Sequence, residues 1–113
     1  MLRGEVWLIN LEPTVGAEIR KTRPVVIVSE DAIGILPLRV VVPLVEWRER
    51  YEVAPWLVRV APDADNNLEK PSAADAFQIR SVSRERFVSR LGRVTTADLE
   101  AIVRAVQVVV GAA

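Results

Sequence analysis

Two side chains that carry much of enzyme chemistry are missing from this sequence. Its 113 residues include no cysteine and no histidine. Disulfide staples, thiolate nucleophiles and metal sites built on thiolate or imidazole are therefore excluded, as is the usual acid/base group of hydrolases at neutral pH. Any catalysis has to be assembled from Arg, Lys, carboxylates, hydroxyls and backbone groups, and neither a metal nor a cofactor is expected. An excess of charge is also missing: 15 basic and 15 acidic residues give a net charge of zero. That argues against a broadly basic nucleic-acid coat while leaving room for a local basic patch. No apolar run approaches the ~20 residues needed to span a bilayer as a helix. The opening Met1-Leu2-Arg3-Gly4-Glu5 lacks the basic-then-apolar order of a signal peptide. The expected location is the cytoplasm, with no membrane partner.

What is present is the balance of a soluble folded chain, 50% hydrophobic and 27% charged. One domain over residues 1–113 is expected, with no repeat, linker or low-complexity segment. Glu5–Ile9 is short, β-branched and aromatic, and reads as a strand. Val15 to Arg23 is polar, contains Gly16 and carries Glu18, Arg20, Lys21 and Arg23, as an exposed loop does. Pro24–Val28 is a continuous apolar run, expected of a strand covered on both faces. Leu38–Val45 is another, and Pro43 within it calls for an edge or a bulge because proline donates no ladder bond. Trp47 to Glu52 reads as a loop, Trp56–Val60 as a strand with Trp56 in the core, and Ala61 to Ser72 as an irregular connection. Ala76–Val82 alternates with period two, which places Phe77 and Ile79 toward the core and Gln78 and Arg80 on the other face. Phe87-Val88 and Leu91–Val94 form one last twisted strand.

The period then changes. Leu99, Ile102, Val103, Val106 and Val110 follow helical spacing, with Thr95 or Thr96 as the N-cap and Gly111 as the stop. Val108, Val109 and Val110 make the last turn apolar almost all round. Burial against a second subunit and full cover within a monomer both account for it.

Some polar residues invite chemistry on their own. Pro24 holds Arg23 extended and so fixes where a guanidinium emerges. Arg80, Arg84, Arg86, Arg90 and Arg93, opposed only by Glu85, make one segment locally basic, either a phosphate footprint or a solvated face. Trp47, beside Arg48, is the better aromatic for stacking on a base, with Trp56 and Tyr51 behind it.

Four ordered stretches carry a resemblance. Arg3-Gly4-Glu5-Val6-Trp7, then Pro13-Thr14-x-Gly16-x-Glu18, then Thr22-Arg23-Pro24-Val25-Val26-Ile27-Val28-Ser29, then Gln78-Ile79-Arg80-Ser81-Val82 resemble the MazF/PemK toxin family. The likeness continues through Arg90-Leu91-Gly92-Arg93 and the terminal helix. It implies a mainly β fold with a C-terminal α-helix, a small SH3-like β-barrel that forms a homodimer. It implies a toxin of a type II toxin–antitoxin system that cuts single-stranded RNA or mRNA at short sequences without a metal. Attack of the 2′-hydroxyl on the neighbouring phosphate would leave a 2′,3′-cyclic phosphate and a 5′-hydroxyl. The implied partners are RNA and a cognate MazE-like antitoxin with an acidic, apolar tail.

Carried over residue by residue, the resemblance makes Arg23 the catalytic guanidinium that stabilises charge on the phosphate oxygens. Glu18 becomes its orienting partner or a general base. Arg20, Lys21, Thr22, Trp47, Arg48, Gln78 and Arg80 are assigned to RNA contact, and Pro24, Pro43 and Ser72 to shaping the site, Ser72 chiefly through its turn. The match fails in three places. Val45 stands where many members have a threonine or serine, Phe77 where some have an acidic residue, and Ala17 where some have a histidine. Valine keeps the shape but can neither relay a proton nor bond a phosphate oxygen, and Glu46 beside it is the candidate replacement. Two other readings keep the fold: a gyrase-poisoning toxin of the CcdB type, and a non-catalytic RNA-binding barrel.

Overall fold

Apolar residues on alternate sides of the central strands fill two separate cores, and this division organises the chain. The computed structural model describes residues 1–112. Its strands are β1 (Glu5–Asn10), β2 (Thr22–Ile27), β3 (Leu38–Glu46), β4 (Leu57–Val60), β5 (Ser72–Asp75), β6 (Arg80–Ser83) and β7 (Phe87–Arg93), followed by helix α1 (Thr96–Val109). All pairings are antiparallel, in the order β4-β5-β3-β2-β1-β7, with β6 also on β3. No pairing among the described residues joins β4 to β7, so the sheet is not closed. The expectation of a mainly β, barrel-like fold with a terminal helix is met in this open form.

Val26 on β2 and Val42 and Leu44 on β3 point into a first core with Val6, Val60, Ala74 and Ile102, beneath α1. Val25 and Ile27, one residue out of phase, enter a second core with Ile9, Leu11, Val41 and Val82, flanked by Met1, Trp7, Ile19 and Phe87. A strand with both faces covered has no polar side to show, which is why β2 reads as an unbroken apolar run. Each fully buried Val, Ile or Leu here contributes about 1.5–3 kcal/mol relative to exposure. Thr95 caps the helix by accepting the Asp98 N–H on its hydroxyl at 3.0 Å, an interaction of about 1 kcal/mol. Gly111, at φ 71°, ends it in a left-handed turn.

Four expectations need correction. Pro43 sits neither at an edge nor in a bulge, but buried in the most connected strand. Residues 38–41 of β3 pair with β6 and residues 44–46 with β5, so on that side Pro43 lies in the gap between partners. Opposite Val25 it occupies a position whose missing N–H costs no ladder bond. Ala76–Val82 is not one strand: a 3₁₀ turn at Ala76–Gln78 precedes β6. Ile79 packs on the first core, but Phe77 turns outward and is 67% exposed. Trp56 is not a core residue either; it is exposed and meets Phe77 edge-to-face, ring centres 6.4 Å apart. Finally, Ser72, read as the end of the Ala61–Ser72 connection, opens a strand that the sequence reading did not assign, β5, Ser72-Ala73-Ala74-Asp75. Short side chains with low strand propensity hide it, and they are selected by full burial between β3 and β4.

Candidate functional site

Three strands and one loop bring Arg23, Pro24, Val45, Glu46 and Ser72 to a single cleft of about 480 Å³. Arg23 and Pro24 come from β2, Val45 and Glu46 from the end of β3, and Ser72 from the start of β5. Asn67, Leu68, Glu69 and Lys70 close the other side, with Leu8 and Leu91 contributing apolar wall. The cleft is therefore an open, largely apolar hollow in which a guanidinium, an ammonium and two carboxylates are the charged groups.

Arg23 is half-buried, and its Nε donates to the Arg20 carbonyl at 3.2 Å. Among the described residues no carboxylate lies within 4.0 Å of its guanidinium, so most of its donors face the cleft unpaired. Glu46 has a partner at the rim, Arg48, at 3.8 Å, both of them half-exposed. A pair so exposed is worth at most about 1 kcal/mol and opens readily to an incoming charge. The Ser72 hydroxyl donates to the Lys70 carbonyl at 3.0 Å and organises the turn. That bond helps place Lys70, a cleft cation that sequence reasoning missed. Its signal was available: a lysine directly before the Pro71-Ser72 step.

The loop that supplies Lys70 is built around buried Asn66. Its side chain donates to the Ala61 carbonyl at 2.9 Å and accepts the N–H groups of Asp63 and Leu68 at 3.1 and 3.0 Å. Asn67, at φ 54°, donates to the Leu91 carbonyl at 2.6 Å, and Arg93 N–H reaches the Asp65 carbonyl at 2.9 Å. An irregular segment is thereby held as firmly as a strand.

Glu18 does not pair with Arg23. It is exposed, and its carboxylate accepts the Val15 N–H at 2.5 Å, closing a local turn. It lines a second recess, of about 220 Å³, with Pro43, Phe77, Gln78, Ile79 and Arg80. Gln78 ties that recess together: it accepts the Ile19 N–H at 3.2 Å and donates to the Ala17 carbonyl at 3.1 Å. Arg80 donates to the Leu11 carbonyl at 3.3 Å. Both residues thus anchor the loop between β1 and β2. Arg20 is exposed and lies 3.7 Å from Glu12; Lys21, at φ 70°, and Thr22 are exposed on the same loop end. None of the three lines the Arg23 cleft.

Trp47 stands at the cleft's outer corner, held by a backbone bond to the Pro71 carbonyl at 2.9 Å. Tyr51 meets it edge-on at 5.9 Å and the Arg59 guanidinium covers its ring at 5.8 Å, so a base stacking there would have to displace or join that arginine. Of the five arginines read as a phosphate footprint, three have structural duties. Arg80 holds Leu11, Arg86 holds the Asn10 and Glu12 carbonyls, and Arg90 pairs with Glu5.

Fold and cleft together define a class: a small antiparallel β protein with a terminal helix, presenting an uncompensated arginine at a strand-end hollow. A model of the PemK-like, MazF-like toxins of type II toxin–antitoxin systems matches residues 2–110, and the chain belongs to that family. It is 34% identical over 105 residues to endoribonuclease MazF9 of Mycobacterium tuberculosis, covering 88% of this chain and 86% of that protein. A solved endoribonuclease in complex with its cognate antitoxin, from a Mycobacterial species, superposes with a TM-score of 0.77 at 26% identity, over 98% of this chain and 95% of that one. MazF from Deinococcus radiodurans shares the fold with a TM-score of 0.82 at 21% identity, over 98% and 96% of the two chains.

Proposed function

We propose that the chain is a sequence-specific endoribonuclease toxin that cleaves single-stranded RNA at the Arg23 cleft and is held in check by a MazE-like antitoxin. The observation that carries this reading is the convergence of Arg23, Glu46 and Lys70 from separate segments on one hollow, in a chain whose matched relative is an endoribonuclease. In the reaction, the 2′-hydroxyl oxygen attacks the adjacent phosphorus and the bond from phosphorus to the 5′-oxygen breaks. The 2′-proton passes to a base and the leaving 5′-oxygen takes up a proton, giving a 2′,3′-cyclic phosphate and a 5′-hydroxyl. Arg23 offers its free donors to the non-bridging oxygens as their charge grows, and Lys70 adds a second positive charge. Glu46, the cleft carboxylate beside Val45, is the general base. Glu18, outside the cleft, and Gln78 and Arg80 act on the substrate through the loop they organise, while Arg48 and Trp47 meet the RNA at the rim.

Exposed Val108 and Val110 at the end of α1 support a homodimer, in which that apolar surface is covered. No helix is long and apolar enough to cross a membrane, and a toxin acting on mRNA belongs in the cytoplasm.

The test is purified protein with an unstructured RNA in EDTA. Discrete fragments ending in cyclic phosphate are expected, with a loss of about 10²–10³ in rate for Arg23→Ala and about 10²–10⁴ for Glu46→Gln. Intact RNA at every concentration of folded wild-type protein overturns the reading. Wild-type rates in Glu46→Gln remove Glu46 from the mechanism.

A further inference from the structure

Beside the cleft lies a second hollow that the mechanism above does not use. The end of β3, the 3₁₀ turn at Glu49–Val53, β4 and β5 enclose about 410 Å³, lined by Val45, Arg50, Tyr51, Trp56, Leu57 and Asp75. Val45 also lines the Arg23 cleft, so the two hollows share it as a common wall.

We infer that this hollow takes one nucleobase next to the scissile phosphate and selects guanine through Asp75; the inference rests on the RNA-cleaving reading given above. Two aromatic side chains and an aliphatic floor suit a flat heterocycle, and single-stranded RNA is read by such pockets through the edges of splayed bases. Asp75 is the one carboxylate in the lining. Its Oδ1 accepts the Phe77 N–H at 3.1 Å, and no cation lies within 4.0 Å of it among the described residues. An ionised carboxylate only accepts, and the Phe77 and Gln78 N–H groups leave further lone pairs on its oxygens.

Guanine presents two adjacent donors, N1–H and the N2 amino group, that match two carboxylate oxygens. Adenine and cytosine place a ring-nitrogen acceptor beside their amino group, and that acceptor would oppose the second oxygen. Uracil's single N3–H is flanked by two carbonyls. Burial holds the Asp75 carboxyl above the ordinary aspartate range, against the opposing pull of the Phe77 and Gln78 N–H groups. A guest with paired donors restores the hydrogen bonding that burial removes. Arg50 at the mouth, 5.4 Å from the Tyr51 ring centre, repels a cationic guest such as an arginine side chain of a protein partner and welcomes one bearing phosphate.

Asp75 also caps the Ala76–Gln78 turn, so the informative variant is Asp75→Asn, which keeps a side-chain oxygen for the Phe77 N–H but offers guanine one acceptor and one donor. Two measurements are made on the full chain. The first follows the Trp56 indole and Tyr51 amide signals by NMR during titration with GMP, AMP, CMP, UMP and N-acetyl-arginine amide. The second maps cleavage sites in a randomised RNA. Expected are tightest binding of GMP, by about tenfold or more, guanine at one fixed position beside the cut, and loss of both preferences in Asp75→Asn. GMP-selective shifts from a protein that cuts no RNA support the guanine assignment while overturning the cleavage reading. Equal response to all four nucleotides, a response to the arginine amide alone, or an unchanged cleavage pattern in Asp75→Asn each overturn it.

Discussion

Arg90 on β7 donates its Nε–H to Glu5 on β1 at 3.0 Å, beneath a strand pairing that is twice out of register. Glu5 is nearly fully buried, and its other oxygen accepts the Leu2 N–H at 2.9 Å and the Trp7 indole N–H at 3.0 Å. One carboxylate therefore fastens the chain's start, the Trp7 ring and the last strand.

Burial alone would raise the Glu5 carboxyl, but the Trp7 and Leu2 donors and the Met1 ammonium outweigh it and bring the value down to about 2. A depressed carboxylate contributes stability that is present above its ordinary value near 4.5 and disappears as pH falls toward 2. Glu5→Gln should remove about 2–4 kcal/mol at neutral pH, through the lost charge and the donors left short of an acceptor. Its stability should then vary less than wild type's across that acid window. Urea unfolding at pH 7 and at pH 3 checks both; equal midpoint losses at the two pH values would contradict the assignment.

Gly92 is needed for space rather than for an unusual backbone angle. A Cβ there would lie 1.9 Å from the Asp65 carbonyl oxygen, a backbone atom that cannot step aside without breaking the bond from Arg93 N–H. Gly92→Ala should cost about 3 kcal/mol or more and push the Lys70 loop away from the cleft. An unfolding midpoint within experimental error of wild type would refute this.

Gln78 is expected to act on mobility more than on stability. Gln78→Ala removes both bonds to the β1–β2 loop and should lower stability by about 1 kcal/mol. Protection of the Ile19 amide against hydrogen exchange should fall well beyond that global loss, since its acceptor is gone. A mutant that retained Ile19 protection would show the loop to be held by other contacts.

Val45→Thr returns a hydroxyl to the cleft wall. A loss of about 1 kcal/mol in stability is expected, because Val45 is only partly buried. A gain of tenfold or more in the rate of RNA cleavage should accompany it, within the range of about 10²–10⁴ for a positioned proton-transfer group. If the rate stays flat, Glu46 already supplies what the hydroxyl would.

The central strands were legible because Val25, Val26 and Ile27 or Val41 and Val42 leave no polar option. Burial on both faces writes itself into composition. The helix declared itself through period and the Thr95 cap. The misreadings share a different cause. Phe77 and Trp56 are large and apolar, so sequence logic sends them inward, yet they cover each other at the surface. Ser72–Asp75 gives no strand signal because a strand packed tightly between two others has room only for small side chains. Arg23, Glu46 and Ser72 could be nominated one at a time by residue type and resemblance. That Glu18 falls outside their cleft and Lys70 inside it depends on where loops 11–21 and 61–71 lie in space, and local sequence holds little of that.

The change of partners along β3 has one more consequence. Before Pro43 the strand belongs to the ladder with β6; beyond it, residues 44–46 pair with β5 and feed the turns at 47–56. Arg23 stands on β2 past that switch, where the β2–β3 register runs on toward Val45, within a scaffold that both cores lock. The turns at 47–56, proposed above to meet the bases, follow directly from residues 44–46. Mutation can redraft residues 47–56, lengthening or recharging them, while Arg23 and Glu46 keep their places through their pairings with Ile9 and Ser72. A toxin built this way can drift toward new target sequences without first passing through an inactive form.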